Sequence, residues 1–108
     1  MGNLLEQHRE ELISACAAAQ VDALYAFGSI LTDHFSATSD LDFIVSIAEK
    51  DPLVYTELYF QLKLDLERIF QREIDLLEEK AIRNPLFREK VDKEKQLIYA
   101  RGDYSLAQ

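Results

Sequence analysis

The segment of residues 40–47 limits the possible folds most strongly, because its side chains divide cleanly between two faces. An extended strand places successive side chains on opposite sides of a sheet. Asp40 and Asp42 then share one face with Ile44. The other face is wholly apolar and consists of Leu41, Phe43, Val45 and Ile47. We therefore predict a strand in a sheet that buries one face and presents two carboxylates on the other.

Periodicity and capping signals predict the remaining elements. Asp51-Pro52 and Asn84-Pro85 combine an N-cap residue with proline in the first turn, which is typical of helix starts. We predict helices over residues 4–20, 51–71 and 84–91, and further strands over residues 21–27, 73–77 and 96–100. The order helix, strand, loop, strand, helix, strand, helix, strand indicates an α/β (α+β) fold with a small mixed sheet.

Length and charge exclude several classes of protein. The 108 residues suit one domain spanning residues 1–108, and we expect the tail from about residue 102 to be loosely ordered. The net charge of −8 disfavours a nucleic-acid or anionic-membrane partner. The single cysteine, Cys16, cannot form an internal disulfide and is interpreted as a core residue. With no apolar run long enough to span a bilayer and no signal-peptide core, we expect a cytoplasmic protein.

The stretch that carries chemical information links two of the predicted strands. Gly28 and Ser29 follow the first strand, and ten residues separate them from Asp40 and Asp42. Glycine permits a sharp turn and close approach to a ligand. A serine that opens a helix can hold phosphate oxygens. Two carboxylates two residues apart on a strand have Cα atoms roughly 6.5 Å apart and can converge on Mg²⁺.

A third acidic residue lies on a later strand. Asp75 has Ile74 and Leu76 as neighbours, and both point to the opposite face. An acid within a short apolar strand is unexpected, because an unpaired buried carboxylate costs several kcal/mol. If this strand adjoins the 40–47 strand, the three acids form one cluster, which a bound cation would relieve. The alternative is a structural salt bridge from Asp75 to a nearby basic residue.

This pattern resembles the nucleotidyltransferase superfamily, whose members include DNA polymerase beta. The resemblance rests on Gly28-Ser29, ten intervening residues, Asp40-x-Asp42 and a later strand with Asp75. It covers nearly the whole chain, and at this length the sequence looks like a minimal nucleotidyltransferase (MNT) domain, of the kind found as antitoxins beside HEPN-type toxins. The resemblance implies a mixed sheet of about four strands with helices mainly on one side.

The same resemblance implies an activity and its cofactors. Asp40, Asp42 and Asp75 would be the catalytic residues and would hold one or two Mg²⁺ ions, while Gly28 and Ser29 would bind the phosphates of ATP. An acceptor hydroxyl would attack the α-phosphate and release pyrophosphate. The implied acceptor is a tyrosine of a HEPN-type toxin partner. This chain departs from many relatives after the Gly-Ser pair, since residues 30–33 lack the usual arginines and second glycine. Arg72 and Arg83 are candidates to supply phosphate contacts instead.

Two other functions stay open. The altered residues after Ser29, namely Ile30, Thr32 and Asp33, are compatible with a degenerate, non-catalytic module that neutralises or assembles with a partner protein. The other is transfer of the nucleotide to a small-molecule acceptor, although enzymes of that type usually carry an additional domain.

A second apolar stripe on the long helix suggests a partner surface. Leu53, Phe60 and Leu64 fall within about 40° of each other, nearly opposite the main stripe from Tyr55 to Phe70. A helix that is apolar on two faces usually packs on two sides. Either the first helix or the tail covers this stripe, or it binds a protein partner or a second copy of the chain as a homodimer.

Overall fold

A computed structural model describes residues 2–28 and 40–101 of the chain. Four helices, four strands and one 3₁₀ turn occupy these residues. In chain order they are α1 (Gly2–Gln7), α2 (Arg9–Ala18), β1 (Val21–Phe27), β2 (Leu41–Ile47), α3 (Pro52–Phe70), β3 (Ile74–Glu78), the 3₁₀ turn (Glu79–Ala81), α4 (Pro85–Glu94) and β4 (Gln96–Ala100). The predicted loop, Ser29 and the predicted loose tail lie outside the described residues.

The strands form one mixed sheet in the order β3-β2-β1-β4. The central strand β1 pairs antiparallel with both β2 and β4, whereas β2 and β3 are parallel. The parallel pair needs a crossover, and α3 provides it. The predicted α/β fold with a small mixed sheet of four strands is therefore confirmed.

Helix α3 begins and ends where local sequence dictates. The Asp51 side chain accepts hydrogen bonds from the backbone N–H groups of Leu53 and Val54, and Pro52 occupies the first turn. At the other end Gln71 adopts a left-handed conformation with φ of 53°, and its N–H donates to the Glu67 carbonyl. These caps define a helix of 19 residues, long enough to cross the whole sheet.

The main core lies between the sheet and helices α1 to α3. The ring of Phe43, fully buried on β2, lies 5.9 Å from that of Phe70 on α3. The core residues from the helices are Leu5, Leu12, Ala15, Cys16, Leu62, Leu66, Ile69 and Phe70. Burial raises the pKa of the Cys16 thiol to about 12, which agrees with its interpretation as a core residue. No helix within the described ranges has the length and apolar character needed to span a membrane.

Helix α4 contacts the opposite face of the sheet. The Phe87 ring on α4 packs edge-on against Phe27, with centroids 6.1 Å apart. Just after the helix, the Lys95 ammonium lies 4.3 Å from the centre of the Tyr25 ring and 2.9 Å from the Glu79 carboxylate. These contacts attach α4 to the face on which Tyr25 and Phe27 lie. Because Phe27 pairs with Asp42, α4 lies toward the same end of that face as the carboxylates described below.

The predicted first helix differs from the structure. Instead of one helix over residues 4–20, two helices meet at a turn at His8. The His8 ring packs edge-on against Phe70 at 5.3 Å, and its Nδ1 lies 3.0 Å from a Glu11 oxygen. These contacts hold His8 at the bend, and they depend on a residue 62 positions away that local periodicity does not reveal.

Phe43→Ala tests the core between β2 and α3. The substitution removes a fully buried ring, so we expect a loss of about 3–5 kcal/mol of stability in urea unfolding. Leu86→Ala is the control, because Leu86 is strongly exposed on α4 and should change stability by less than about 0.5 kcal/mol. Equal effects of the two substitutions would contradict this description of the core.

Candidate active site

The turn after β1 brings the backbone against a carboxylate of β2. Phe27, the last residue of β1, pairs with Asp42, and Gly28 follows with φ of +82°. A Cβ atom on Gly28 would lie 2.5 Å from Oδ2 of Asp42, closer than such atoms normally approach. Glycine is therefore required here both for its backbone conformation and for the space that it leaves in front of the Asp42 carboxylate.

The parallel pairing of β2 with β3 brings the predicted acids together. Asp42 and Asp75 are register partners on neighbouring strands and point to the same face. Asp40 lies two residues before Asp42 and therefore extends toward that same face. Burial, and then the charges of Asp75 and Asp40, raise the pKa of the Asp42 carboxyl above its usual range. The three predicted carboxylates thus share one electrostatic environment.

Exposure distinguishes the three acids. Asp42 is partly buried, whereas Asp40 and Asp75 are exposed. The expectation that Asp75 is a buried acid is wrong, because β3 is the edge strand and its outward face is open there. Asp75 nevertheless lies beside Asp42, as the prediction of an acidic cluster requires, because the register of the two strands and not burial determines its position.

A cavity of about 280 Å³ opens at this edge of the sheet. It lies where β2 and β3 begin and where α3 returns to the sheet. Its lining residues are Asp40, Lys63, Glu67, Glu73, Ile74 and Asp75. Lys63 and Glu67 were not identified from the sequence. The signal that could have found them is the crossover itself, because a helix joining two parallel strands ends beside the start of the second strand.

The donor set suits a hard divalent cation. Carboxylate oxygens are the ligands that Mg²⁺ prefers, and it typically uses one or two of them together with substrate phosphates. Burial is the main cause of the raised pKa of Asp42, and the repulsion from Asp75 and Asp40 that adds to it is the interaction that a cation between the acids would relieve. In residues 2–28 and 40–101 no three His, Cys, Asp or Glu side chains are arranged to hold a metal by themselves. The aspartates therefore fit a cation whose remaining ligands come from substrate or solvent.

The remaining candidate residues from the sequence are the serine after Gly28, the altered residues that follow it, and two arginines. Ser29 and the altered residues 30–33 lie outside the described residues. Arg72 is half-buried just before β3, at the same edge as Asp40 and Asp75. Arg83 is exposed between the 3₁₀ turn and α4. Of the two basic candidates, Arg72 is thus the one whose backbone lies near the acids.

Comparison with known proteins now gives the family. A family model for polymerase beta, nucleotidyltransferase, matches residues 10–104. The chain therefore belongs to this nucleotidyltransferase family, as its sequence pattern suggested. No curated protein matches the chain.

Solved structures narrow the class to minimal nucleotidyltransferases. A protein assigned as a minimal nucleotidyltransferase is 30% identical, with a TM-score of 0.66 over 85% of this chain and 90% of that one. A toxin–antitoxin structure with AMP-PNP is 16% identical, with a TM-score of 0.65 over 87% of this chain and 74% of that one. A tri-AMPylated Shewanella oneidensis HEPN toxin in complex with an MNT antitoxin is also 16% identical, with a TM-score of 0.57 and coverage of 88% and 71%. The last two show likeness of fold only.

Gly28→Ala tests the contact with the carboxylate. We expect a loss of about 1–3 kcal/mol in urea unfolding, because the new Cβ meets Oδ2 of Asp42 and the positive φ is strained. In an Asp42→Ala background only the backbone strain remains, so the cost of Gly28→Ala should be smaller. The same cost in both backgrounds would show that the close contact contributes nothing.

Asp42→Asn tests the repulsion among the acids. In chelator at pH 7 we expect the variant to be more stable than the parent, because it removes a charge that burial and two neighbouring acids disfavour. The folded state holds the Asp42 proton more tightly than the unfolded state, so parental stability falls as pH rises through the pKa of Asp42. The gain from Asp42→Asn should therefore shrink toward pH 4 in urea unfolding. A gain that is constant with pH would contradict this explanation.

Proposed function

We propose that this protein is a Mg²⁺-dependent nucleotidyltransferase that transfers a nucleoside monophosphate, AMP from ATP, to a hydroxyl acceptor. Membership of the nucleotidyltransferase family supports the reaction class. The observation that carries the proposal is the register pairing of Asp42 with Asp75, beside Asp40 and a glycine whose missing side chain lets the Asp42 carboxylate lie against the turn after β1. The catalytic residues proposed are these three aspartates.

Each residue is assigned a step that its position allows. Asp40 and Asp42 would hold Mg²⁺, and the backbone at Gly28, followed by Ser29, would bind the triphosphate. The bound ion would neutralise phosphate charge and stabilise the leaving oxygen. Asp75 would orient the acceptor hydroxyl and take its proton, since its carboxylate is exposed to an incoming acceptor. As the hydroxyl oxygen bonds to the α-phosphorus, the bond to the β-phosphate oxygen breaks and pyrophosphate leaves.

For the acceptor we propose a tyrosine of a HEPN-type toxin, which would make this protein the antitoxin of a toxin–antitoxin pair. Support comes from the shared fold with an MNT antitoxin bound to a tri-AMPylated HEPN toxin. The toxin–antitoxin structure with AMP-PNP supports ATP as the nucleotide donor in the same way. The net charge of −8 favours a protein acceptor with basic surface over a nucleic acid.

A non-catalytic binding module is the second candidate. The observation that favours it is that residues 30–33 lack the cationic side chains of many relatives. Such a module would neutralise its partner by contact alone. The two candidates differ in whether neutralisation needs the aspartates.

A transfer assay with labelled ATP, Mg²⁺ and the protein product of the neighbouring gene tests the activity. We expect labelled AMP on the partner, found by mass spectrometry on a tyrosine. Asp42→Ala or Asp75→Ala should reduce the transfer rate by at least about 100-fold, because charge neutralisation and positioning are lost. Asp22→Ala is the matched control, since Asp22 is an exposed aspartate of β1 at the end remote from Gly28.

The outcomes of this assay separate the two candidates. Transfer that disappears in Asp42→Ala and persists in Asp22→Ala supports the enzyme. Neutralisation of the partner that survives the double substitution Asp40→Ala and Asp42→Ala, with no labelled product from the parent, supports the binding module instead.

Thermal melting with divalent ions tests the cation site separately from the acceptor. Mg²⁺ or Mn²⁺ at millimolar concentration with ATP should raise the melting temperature of the parent, because a ligand that binds only the folded state stabilises it. The increase should be lost in Asp42→Ala and kept in Asp22→Ala. No increase in the parent would contradict a working cation site.

A further inference from the structure

The outward face of α3 presents apolar side chains that no described residue covers. Leu53 is 79% exposed, Phe60 53% and Leu64 64%. These three residues, which we call the α3 stripe, lie within about 40° of each other on the helix, opposite the side that packs on the sheet. The described part of α1 and α2 therefore leaves the α3 stripe open, which excludes the first helix as its cover, whereas the tail lies outside the described residues.

We propose that the α3 stripe binds the same stripe of a second copy, with the two α3 helices antiparallel around a two-fold axis at the level of Leu62. The proposal is independent of the transferase activity. Leu62 itself points into the core, and it serves here only to mark the level of the axis along the helix.

The apolar residues are self-complementary about that axis. Phe60 and Leu64 lie equally far on either side of Leu62, about 3 Å along the helix at 1.5 Å per residue. An antiparallel two-fold arrangement therefore places Phe60 of each copy against Leu64 of the other. One aromatic ring and one branched aliphatic side chain then meet twice, as an isologous interface requires. Phe60 and Leu64 thus match each other in the antiparallel sense, whereas Leu53, nine residues before the axis level, faces the level of Gln71 in the other copy.

The charges beside the stripe are self-complementary on the same axis. Glu57 precedes Leu62 by five residues and Arg68 follows it by six, so they lie about 7.5 and 9 Å from the axis level in opposite directions. At 100° per residue both fall on the flank of the stripe that faces α2. Arg68 lines the groove beside Ser14 and Ala18 of α2, which fixes that side.

Symmetry then brings the two opposite charges together. The two-fold axis is perpendicular to the plane that contains both helix axes. Rotation about it therefore leaves the α2-facing flanks of the two copies on the same side of that plane. Glu57 of one copy therefore meets Arg68 of the other, and the pair occurs twice. Arg68 is 66% exposed and its present neighbour, Asp65, lies 3.6 Å away, so its head group is free to reach across an interface. An exposed ion pair of that length holds a side chain only weakly.

This arrangement is compatible with the candidate active site. The α3 helix covers one face of the sheet, whereas Asp42 points to the other. Two copies joined through α3 would leave Asp42 on the face of the sheet away from the interface, whereas the cavity at Asp40 and Asp75 borders α3 at Lys63 and Glu67. The charge pattern commits the surface to a second copy, because a different protein would have no reason to match a Glu57 and Arg68 spacing that is symmetric about the stripe.

Sedimentation velocity of the whole chain from about 1 μM to about 1 mM tests the proposal. We expect the mass to rise toward twice the 12.5 kDa of one chain. Phe60→Asp should weaken self-association by at least about tenfold, since a central aromatic anchor is replaced by a charge at two equivalent places. Leu86→Asp on α4 is the matched control, because it puts the same charge on an apolar position that is even more exposed than Phe60 and lies outside the α3 stripe.

A charge exchange tests the antiparallel register. Glu57→Arg alone places two positive side chains together, and Arg68→Glu alone places two negative ones together, so each variant should associate at least about threefold more weakly than the parent. An equimolar mixture of the two variants restores both pairs and should form a mixed dimer at least as tight as the parent. The control exchanges the charges of Glu89 and Lys93, an exposed ion pair on α4. It should leave the mass measured in sedimentation unchanged.

Three results would overturn the proposal. One is a chain that stays monomeric over the whole concentration range. Another is a dimer that Phe60→Asp does not weaken. The third is a mixture of Glu57→Arg and Arg68→Glu that associates no better than either variant alone, which would exclude the antiparallel pairing of these charges. Because all the substituted positions are exposed, circular dichroism of each variant should match the parent and exclude misfolding as the cause.

Discussion

The parallel pairing of β2 with β3 is the interaction on which the rest of the molecule depends. It sets Asp42 beside Asp75, and it requires a crossover helix that runs the full length of the sheet. That helix covers the apolar face of β2 and ends next to the carboxylates, where Lys63 and Glu67 line the cavity. A different neighbour for β2 would remove the acidic cluster, the cavity and the core between Phe43 and α3 at once.

Placing three carboxylates close together lowers the stability of the folded state. Their position at the end of the sheet limits this loss. The acids lie at the end of the sheet, where Asp40 and Asp75 stay in contact with water and only Asp42 is partly buried. Burial, and then the charges of Asp75 and Asp40, raise the pKa of the Asp42 carboxyl. Neutral residues at these positions would stabilise the fold better, because they would not repel each other. The presence of three carboxylates instead supports a cation-binding role.

The two faces of the sheet have separate roles. One face is covered by α1 to α3 and supplies the apolar core that stabilises a small domain. The other carries the aspartates, and α4 packs on it through Phe27 and Tyr25, close to Asp42, which is the register partner of Phe27. Asp40 and Asp75 can therefore be reached from solvent without opening the core.

Local sequence by itself determined much of this protein. The alternation of residues 40–47 and the proline-containing caps predicted β2, α3 and α4 closely, and β1 and β4 were predicted with their observed bounds. These features depend on side-chain period and on contacts within a few residues. The sequence also identified the Gly28, Asp40, Asp42 and Asp75 pattern. Only the tertiary structure decided the bend at His8, the exposure of Asp75 on an edge strand, and the arrival of Lys63 beside it. Each of these follows from strand order and from contacts between residues far apart in the chain, which local periodicity does not encode.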